Sequence, residues 1–457
     1  MHPFTKRIHL IGIGGAGMSP LAEVLLRAGH DVTGSDRRST PVTRRLESLG
    51  IGVQYDHSPS LIARSELVIY SSAVKEDNPE RRYAADHAIP SMRRAELLGE
   101  LMRAKFSIGI AGTHGKTTTT ALTGHLLTEA GKAPTVLVGG TLQHLGSNAV
   151  VGDSDLLITE ADEYDRSFLA LYPTIAVITN IEADHLDCYR DLGDITDSFV
   201  SYANRTPFYG AVIMCGDDPG VNGIFERVEK TRILYGLHEQ CGYRAERIEF
   251  SIDGATFELI RHGAALGEIA IPLTGLHNVR NTLAAVAAAS EMGVAIEHIR
   301  RACAGFGGVK RRFEIVGQAA GVTAVDDYAH HPSEVAVTID AARAMGYRRI
   351  VAVFQPHLYS RTRDFESQFA QSLRKADRAI VLPIYQAREE PIAGVSAEAI
   401  VRRIEDVDKG KAIFAPSSET ALEIAARELG DGDVALFMGA GDIGQAAPEL
   451  LGRLSHG

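Results

Sequence analysis

Ala111-Gly112-Thr113-His114-Gly115-Lys116-Thr117-Thr118 follows directly on the apolar run Phe106 to Ala111 and opens a helical pattern from Thr117 to Glu129 that Gly131 ends. Strand, glycine turn and helix in that order build a phosphate cradle. Successive N–H groups and the helix terminus face phosphate oxygens, Lys116 neutralises charge at the beta and gamma positions, and the Thr117 hydroxyl can ligate magnesium. Ile110 stands where the first glycine of the common GxxxxGK[ST] pattern falls, so Gly112 supplies the tight turn. A charge-assisted hydrogen bond contributes about 1.5–3 kcal/mol, and several converging on one triphosphate can hold it without a basic domain. Gly112, Thr113, His114, Gly115, Lys116, Thr117 and Thr118 are therefore expected to bind a nucleoside triphosphate, against the blander reading of a lysine and threonines that merely open a helix.

Two further apolar strands lead away from this loop. Leu156 to Thr159 delivers Glu160, with Asp162, Glu163 and Asp165 behind it, and Ile175 to Asn180 delivers Glu182, Asp184 and His185. Strands of a parallel sheet present their carboxyl ends on one face, so both sets should meet the loop. Clustered acids repel a triphosphate unless cations lie between them, which implies magnesium, with two ions expected and manganese as a substitute. Glu160 and His185 read as part of this site, although imidazole is less usual for magnesium; Asp162, Glu163 and Asp165 read equally well as solvated acids. Downstream, His277, Asn278 and Asn281 precede the alanine-rich helix Thr282 to Glu291. They can address a base, although helix capping by Asn278 competes.

A second glycine loop lies at the start of the chain. Arg7 to Ile11 is an apolar run, Gly12-Ile13-Gly14-Gly15-Ala16-Gly17 follows, and Leu21, Val24, Leu25 and Ala28 then repeat at helical spacing. Gly12 and Gly14 permit the turn, Gly17 lets the helix pack, and free N–H groups at the helix start can face a diphosphate. The next strand, His30 to Ser35, ends at Asp36, nineteen residues beyond Gly17 and placed to accept hydrogen bonds from a ribose. Leu67 to Ser72 is a further strand, whose Ser71 and Ser72 emerge at its carboxyl end as ligand contacts or as plain turn residues. A nicotinamide or flavin is the default ligand of such a loop, yet nothing nearby asks for redox chemistry, and a nucleoside diphosphate joined to something else satisfies it equally. The segment Ser91 to Lys105 reads as helical and as the passage between domains.

The last third repeats the strand-then-helix rhythm. Lys310-Arg311-Arg312 forms a basic cluster behind Gly305, Gly307 and Gly308, either a solvated face or the edge of a hinge. Val322 to Asp327 brings two acids to a strand end, followed by Tyr328, His330 and His331, and Pro332 opens a helix. Arg349 to Phe354 ends in Gln355-Pro356-His357, with Arg361 and Arg363 beyond; guanidinium groups there suit carboxylate or phosphate. Ala379 to Pro383 and Val434 to Met438 complete a sheet pattern.

The whole reads as α/β with three domains: a Rossmann-like N-terminal domain (1–105), a central P-loop ATPase-like domain with a parallel-dominated sheet (106–312), and a C-terminal Rossmann-like domain (313–457). At 457 residues the chain has the length for about three domains. A net charge of -11 argues against a general nucleic-acid binder. The four cysteines match neither a zinc pattern nor a small disulfide framework. No apolar run approaches the ~20 residues that span a bilayer, and no signal-peptide core precedes Arg7. A reducing, cytoplasmic setting without membrane insertion is expected; the sequence leaves the oligomeric state open.

These residues carry a likeness over essentially the whole chain. The sequence resembles the Mur ligases, ATP-dependent amide-forming enzymes of bacterial peptidoglycan precursor synthesis, and within them the alanine-adding branch. Particularly specific are Gly12 to Met18, Gly112 to Thr117, Glu160-Ala161-Asp162-Glu163, Asn180 to His185, Arg311-Arg312-Phe313-Glu314 and Asp326 to Pro332. The resemblance implies UDP-N-acetylmuramate on the first domain, at Gly12, Gly14, Gly15, Gly17, Asp36, Ser71 and Ser72. It implies ATP on the second, and L-alanine received by a third domain that closes over ATP. It further implies Glu160 and His185 joining Thr117 as metal ligands, Asn281 near adenine, Arg312 at the terminal phosphates, Asp327 at the ribose or the lysine-loop side of the closed site, and His330, His357 and Arg361 at the incoming amino acid or its carboxylate. Lys116, Arg312 and His330 are the implied catalytic groups.

Two departures from the family pattern stand out. Leu358 replaces the second arginine that many relatives carry after the histidine, so the carboxylate grip falls on Arg361 or Arg363. The stretch Leu186 to Asn204 contains no lysine, so a carbamylated lysine is not available there to hold a second metal. The recycling ligase that attaches an intact tripeptide is the nearest alternative; a nucleotide-binding protein without chemistry and a dehydrogenase are others.

Overall fold

The computed structural model describes residues 6–142, 147–185, 188–387 and 389–456. Three sheets organise it, one in each of three α/β domains. The N-terminal sheet has five strands in the order Gly52–Gln54, Asp31–Ser35, Arg7–Ile11, Leu67–Tyr70, Ser91–Arg93, all parallel. Ile8 and Leu10 on one face and Ile11 and Val68 on the other are fully buried, which is why these strands read as continuous apolar runs. Ser91–Arg93 corrects the expectation of one helix from Ser91 to Lys105. These three residues pair with Val68 to Tyr70, and the helix begins only at Arg94 and runs to Ala104. Three residues are too few to show a strand period.

The second sheet has ten strands, in the order Ala264–Ile271, Gly254–Arg261, Tyr243–Ser251, Thr231–Gly236, Ala211–Cys215, Ile175–Ile178, Phe106–Ala111, Leu156–Glu160, Thr135–Leu142, Ser147–Val150. Phe106–Ala111 lies between the two strands that carry the acids and pairs in parallel with both, Ile110 opposite Glu160 and Ala111 opposite Ile178. That register brings the glycine loop, Glu160 and the His185 segment to one edge. The helix Lys116–Glu129 buries Thr117 through Gly124 together with Leu126 and Leu127, so its first turn is fixed by packing.

The third sheet is ordered Glu314–Ala319, Val322–Asp327, Val434–Met438, Ile350–Phe354, Arg378–Val381, Ala412–Phe414, with only the first pair antiparallel. Side chains alternate faces along a strand: Ile350, Ala352 and Phe354 enter one core and Val351 and Val353 another. Helices must therefore cover both faces.

Contacts divide the chain into two compact units. One runs to Glu246 and takes in Leu259–Gly267 and Arg280–Cys303; the other comprises Arg247–Glu258, Glu268–Val279 and Ala304–Gly457. Among the described residues no helix is long and apolar enough to cross a membrane.

Candidate active site

In the first unit the loop after Phe106–Ala111 is tied down by the neighbouring strand end. The Thr113 N–H donates to the Asn180 carbonyl at 3.1 Å and that of His114 to Asn180 Oδ1 at 2.8 Å, while Thr179 Oγ1 donates to the His114 carbonyl at 2.6 Å. Gly112 has φ 139°, and a Cβ there would lie 1.9 Å from Thr179 Oγ1, so only glycine fits. Gly115 has φ 81° and faces Asn281, whose Oδ1 would meet an added Cβ at 2.5 Å. Asn281 thus lies against the loop. The helix that holds it starts at Leu276, earlier than the expected Thr282, and Asn278 donates to the Thr274 carbonyl at 2.9 Å. That hydrogen bond points back along the chain and is not the N-terminal cap the sequence suggested.

Lys116 Nζ is held by four oxygens: the carbonyls of Gly112 at 2.7 Å and Thr113 at 3.3 Å, and Glu163 Oε2 and Oε1 at 2.7 and 2.9 Å. Asp162 lies 4.0 Å away. Burial opposes the ammonium, but Glu163 and Asp162 outweigh it and hold Lys116 above the usual lysine range. The same burial pushes the Glu163 carboxyl up to about 7, with Lys116 pulling the other way. The sequence left Glu163 open between the site and a solvated acid, and only the fold shows it 3% exposed and bidentate on Lys116.

Glu160 accepts the Gly139 N–H at 2.6 Å, and burial raises its carboxyl above the ordinary range despite that bond and the nearby Lys116. A half-buried carboxylate whose surroundings disfavour its charge fits a cation site. Its hydrogen-bond field also includes Thr117, and His185 Nε2 lies 3.6 Å from Glu163 Oε1 and 3.7 Å from Asp184 Oδ2. Thr117, Glu160 and His185 therefore belong to one neighbourhood around Lys116; the hydroxyl and carboxylate oxygens suit magnesium, for which the imidazole is a less usual ligand.

The N-terminal loop is differently furnished. Asp36 does not stand free beside it: Oδ2 accepts the Gly14 N–H at 2.8 Å and Oδ1 the Arg37 N–H at 2.7 Å. Ser71 Oγ accepts the Ala73 N–H at 3.2 Å as a turn residue, and Ser72 is exposed.

The second unit gathers the remaining expected residues. Asp327 takes N–H groups from Phe313 and Ala329, each at 2.7 Å, and burial pushes its carboxyl up to about 6 against the pull of Arg312. Arg312 Nη1 lies 3.8 Å from Glu334 Oε1, and its guanidinium sits 5.4 Å from the Tyr328 ring centre. His330 Nδ1 is 2.9 Å from the Tyr328 carbonyl and 3.2 Å from Glu334 Oε2; its ring meets His357 edge-on at 6.1 Å, and His357 stacks on Tyr385 at 5.8 Å. Arg361 is 8% exposed at the start of the helix Tyr359–Leu373. Leu358, where a second arginine was missing, has φ 71°. Sequence offered no sign of Tyr385 or Glu334, because the contacts that place them depend on the fold.

Three family profiles match in succession: Mur ligase family, catalytic domain, over residues 7–106; Mur ligase middle domain over 110–289; and Mur ligase, glutamate ligase domain over 311–441. A UDP-N-acetylmuramate--L-alanine ligase of Salinibacter ruber is 48% identical across 99% of this chain and 95% of its own length. One of Geotalea daltonii is 44% identical, with 99% of both covered. Among solved structures, a UDP-N-acetylmuramate-alanine ligase from Thermotoga maritima superposes with TM-score 0.81 at 28% identity, covering 98% of each chain. A murein peptide ligase from Psychrobacter arcticus superposes with TM-score 0.70 at 26% identity, covering 98% of this chain and 99% of its own.

Proposed function

The chain belongs to the Mur ligase family of ATP-dependent amide-forming enzymes, and from that premise we propose that it joins L-alanine to the lactyl carboxylate of UDP-N-acetylmuramate for peptidoglycan synthesis in the cytoplasm. The observation that carries the reading is the buried Lys116, held by Glu163 and two loop carbonyls beside Glu160 and His185. Residues 1–105 hold the uridine nucleotide, 106–312 the ATP, and 313–457 the amino acid.

The lactyl carboxylate attacks the gamma-phosphorus, giving an acyl phosphate and ADP; the alanine amine then attacks the acyl carbon and phosphate leaves. Lys116 passes from Glu163 to the phosphates and, with Arg312, steadies the charge that grows on the transferring group. Asn281 positions the adenine side, and Asp327 holds the segment from Phe313 to Ala329 that presents Arg312 and His330. His357 and Arg361 orient the amino acid. His330, its Nδ1 engaged by the Tyr328 carbonyl and Glu334, uses Nε2 to take the proton from the attacking amine. Thr117, Glu160 and His185 would hold magnesium, which would supply the positive charge that lets acids and triphosphate share one place.

Purified protein given UDP-N-acetylmuramate, magnesium and ATP should release phosphate with L-alanine and yield the new amide by mass. The likeness to a murein peptide ligase supports a second reading, in which an intact tripeptide is the acceptor. A preference for tripeptide over L-alanine in the same assay decides for that reading and against ours.

A further inference from the structure

We propose that Arg94 grips the diphosphate of the uridine nucleotide at the first glycine loop. This rests on the reading of that loop as the UDP-sugar site and adds a residue which neither spacing nor likeness had marked.

The loop has little to offer an anion by itself. Gly12 and Ile13 donate their N–H groups to the Ser35 carbonyl at 2.8 and 2.9 Å, Gly14 to Asp36 Oδ2 at 2.8 Å, and Gly15 to the Gly12 carbonyl at 3.0 Å. Met18 and Ser19 donate to the Gly15 carbonyl at 2.9 and 3.0 Å. Among the described residues only the Ala16 and Gly17 N–H groups are left for a ligand. Two neutral donors, with the Asp36 carboxylate alongside, do not balance a diphosphate, so a cation must come from elsewhere in the fold.

Arg94 is placed to be that cation. A Cβ added to Gly17 would lie 3.0 Å from both Cδ and Nη1 of Arg94 and 3.1 Å from its Cζ, so the guanidinium rests directly on the last glycine of the loop, beside the free N–H groups. Arg94 has no hydrogen bond or ion pair through its side chain among the described residues, unlike Arg7 on Glu66 or Arg45 on Glu23, which are spent on surface carboxylates. It is half-buried at the first position of the helix Arg94–Ala104, whose N-terminus is held by the Glu96 carboxylate on the Arg93 N–H at 2.6 Å. Ser19, which opens the helix after the loop, adds a hydroxyl that is buried without a partner. Gly17 thus has a second reason to be glycine: a side chain would displace the guanidinium.

Isothermal titration of the full chain with UDP and with uridine tests this. Arg94→Ala should weaken UDP about 10- to 100-fold while leaving uridine and ATP binding unchanged. Arg94→Lys, which keeps the charge but not the fork, should recover part of the loss. In turnover, KM for the UDP-sugar should rise with kcat retained. An R94A protein that binds UDP as wild type does, or that loses uridine to the same extent, overturns the proposal. Should R94A not fold, phenylglyoxal modification of the wild type decides. Protection of Arg94 by UDP, read by mass spectrometry, supports the assignment; equal modification with and without UDP overturns it. Wild-type protein that binds no UDP removes the reading of the first domain and Arg94's role with it. Wild-type binding matched by R94A removes only Arg94.

Discussion

The two glycine loops look alike on paper and are opposites in electrostatics. Gly12 to Gly17 carries no cation, spends most of its N–H groups on its own turns and holds a carboxylate, Asp36, against Gly14. Gly112 to Thr117 carries its cation internally, and Lys116 is already matched to a buried acid, Glu163. A loop of the first kind suits a ligand whose charge is met from a neighbouring helix. The second suits one that arrives with metal and displaces a carboxylate from a lysine. Glycine spacing reports only that a backbone turns tightly; the charge around the turn decides what it holds.

The largest test of that contrast is Lys116→Ala. Turnover should fall about 10²- to 10³-fold or more, since a preorganised positive charge is lost from the phosphoryl step. UDP affinity, measured by titration, should stay within about twofold of wild type. Equal loss of both would mean that the loops do not act separately.

Alanine in place of a glycine of each loop should sharpen the difference. Gly112→Ala combines a φ of 139° with a 1.9 Å clash against a tethered Thr179 hydroxyl, and should cost about 3 kcal/mol or more in urea unfolding. Gly17→Ala meets only the flexible end of Arg94 and should cost under about 1 kcal/mol. Comparable destabilisation by the two would show that the loops are equally rigid, against the contrast drawn here.

A smaller effect tests a buried charge within the second unit by itself. Asp327 is raised by burial to about 6, so the folded state binds its proton more tightly than the unfolded state. Its favourable contribution is complete below the unfolded value near 3.8 and is lost as pH climbs through about 6. Wild type should therefore lose up to about 3 kcal/mol relative to Asp327→Asn between about pH 4 and 6, and nothing further above that. Parallel melting curves of the two across that range would refute the buried-acid account.

Much of the architecture was legible beforehand because doubly covered parallel strands are nearly continuous apolar runs, as Ile350 to Phe354 is at every position and Ile8 to Ile11 at all but the buried His9. The strand Ser91–Arg93 was not, since an exposed three-residue edge strand has no such signature. At the sites, residues with suitable chemistry were named by type and position, and the partners they have in the fold were not. Glu163 was one acid among four, Tyr385 and Glu334 carried no spacing signal, and Arg94 was one arginine in a helix.

By itself the amino-acid sequence determined the strand-then-helix rhythm of the three sheets, the two tight turns, and which side chains are chemically able to handle phosphate, metal and carboxylate. Those are local properties of residue type and period. Tertiary structure alone decided that Asp36 is committed to Gly14, that Glu163 holds Lys116, and that Arg94 lies on Gly17. Each of these pairs residues 22 to 77 positions apart in the chain. Electrostatic energy follows distance in space and burial, neither of which is written at any single position.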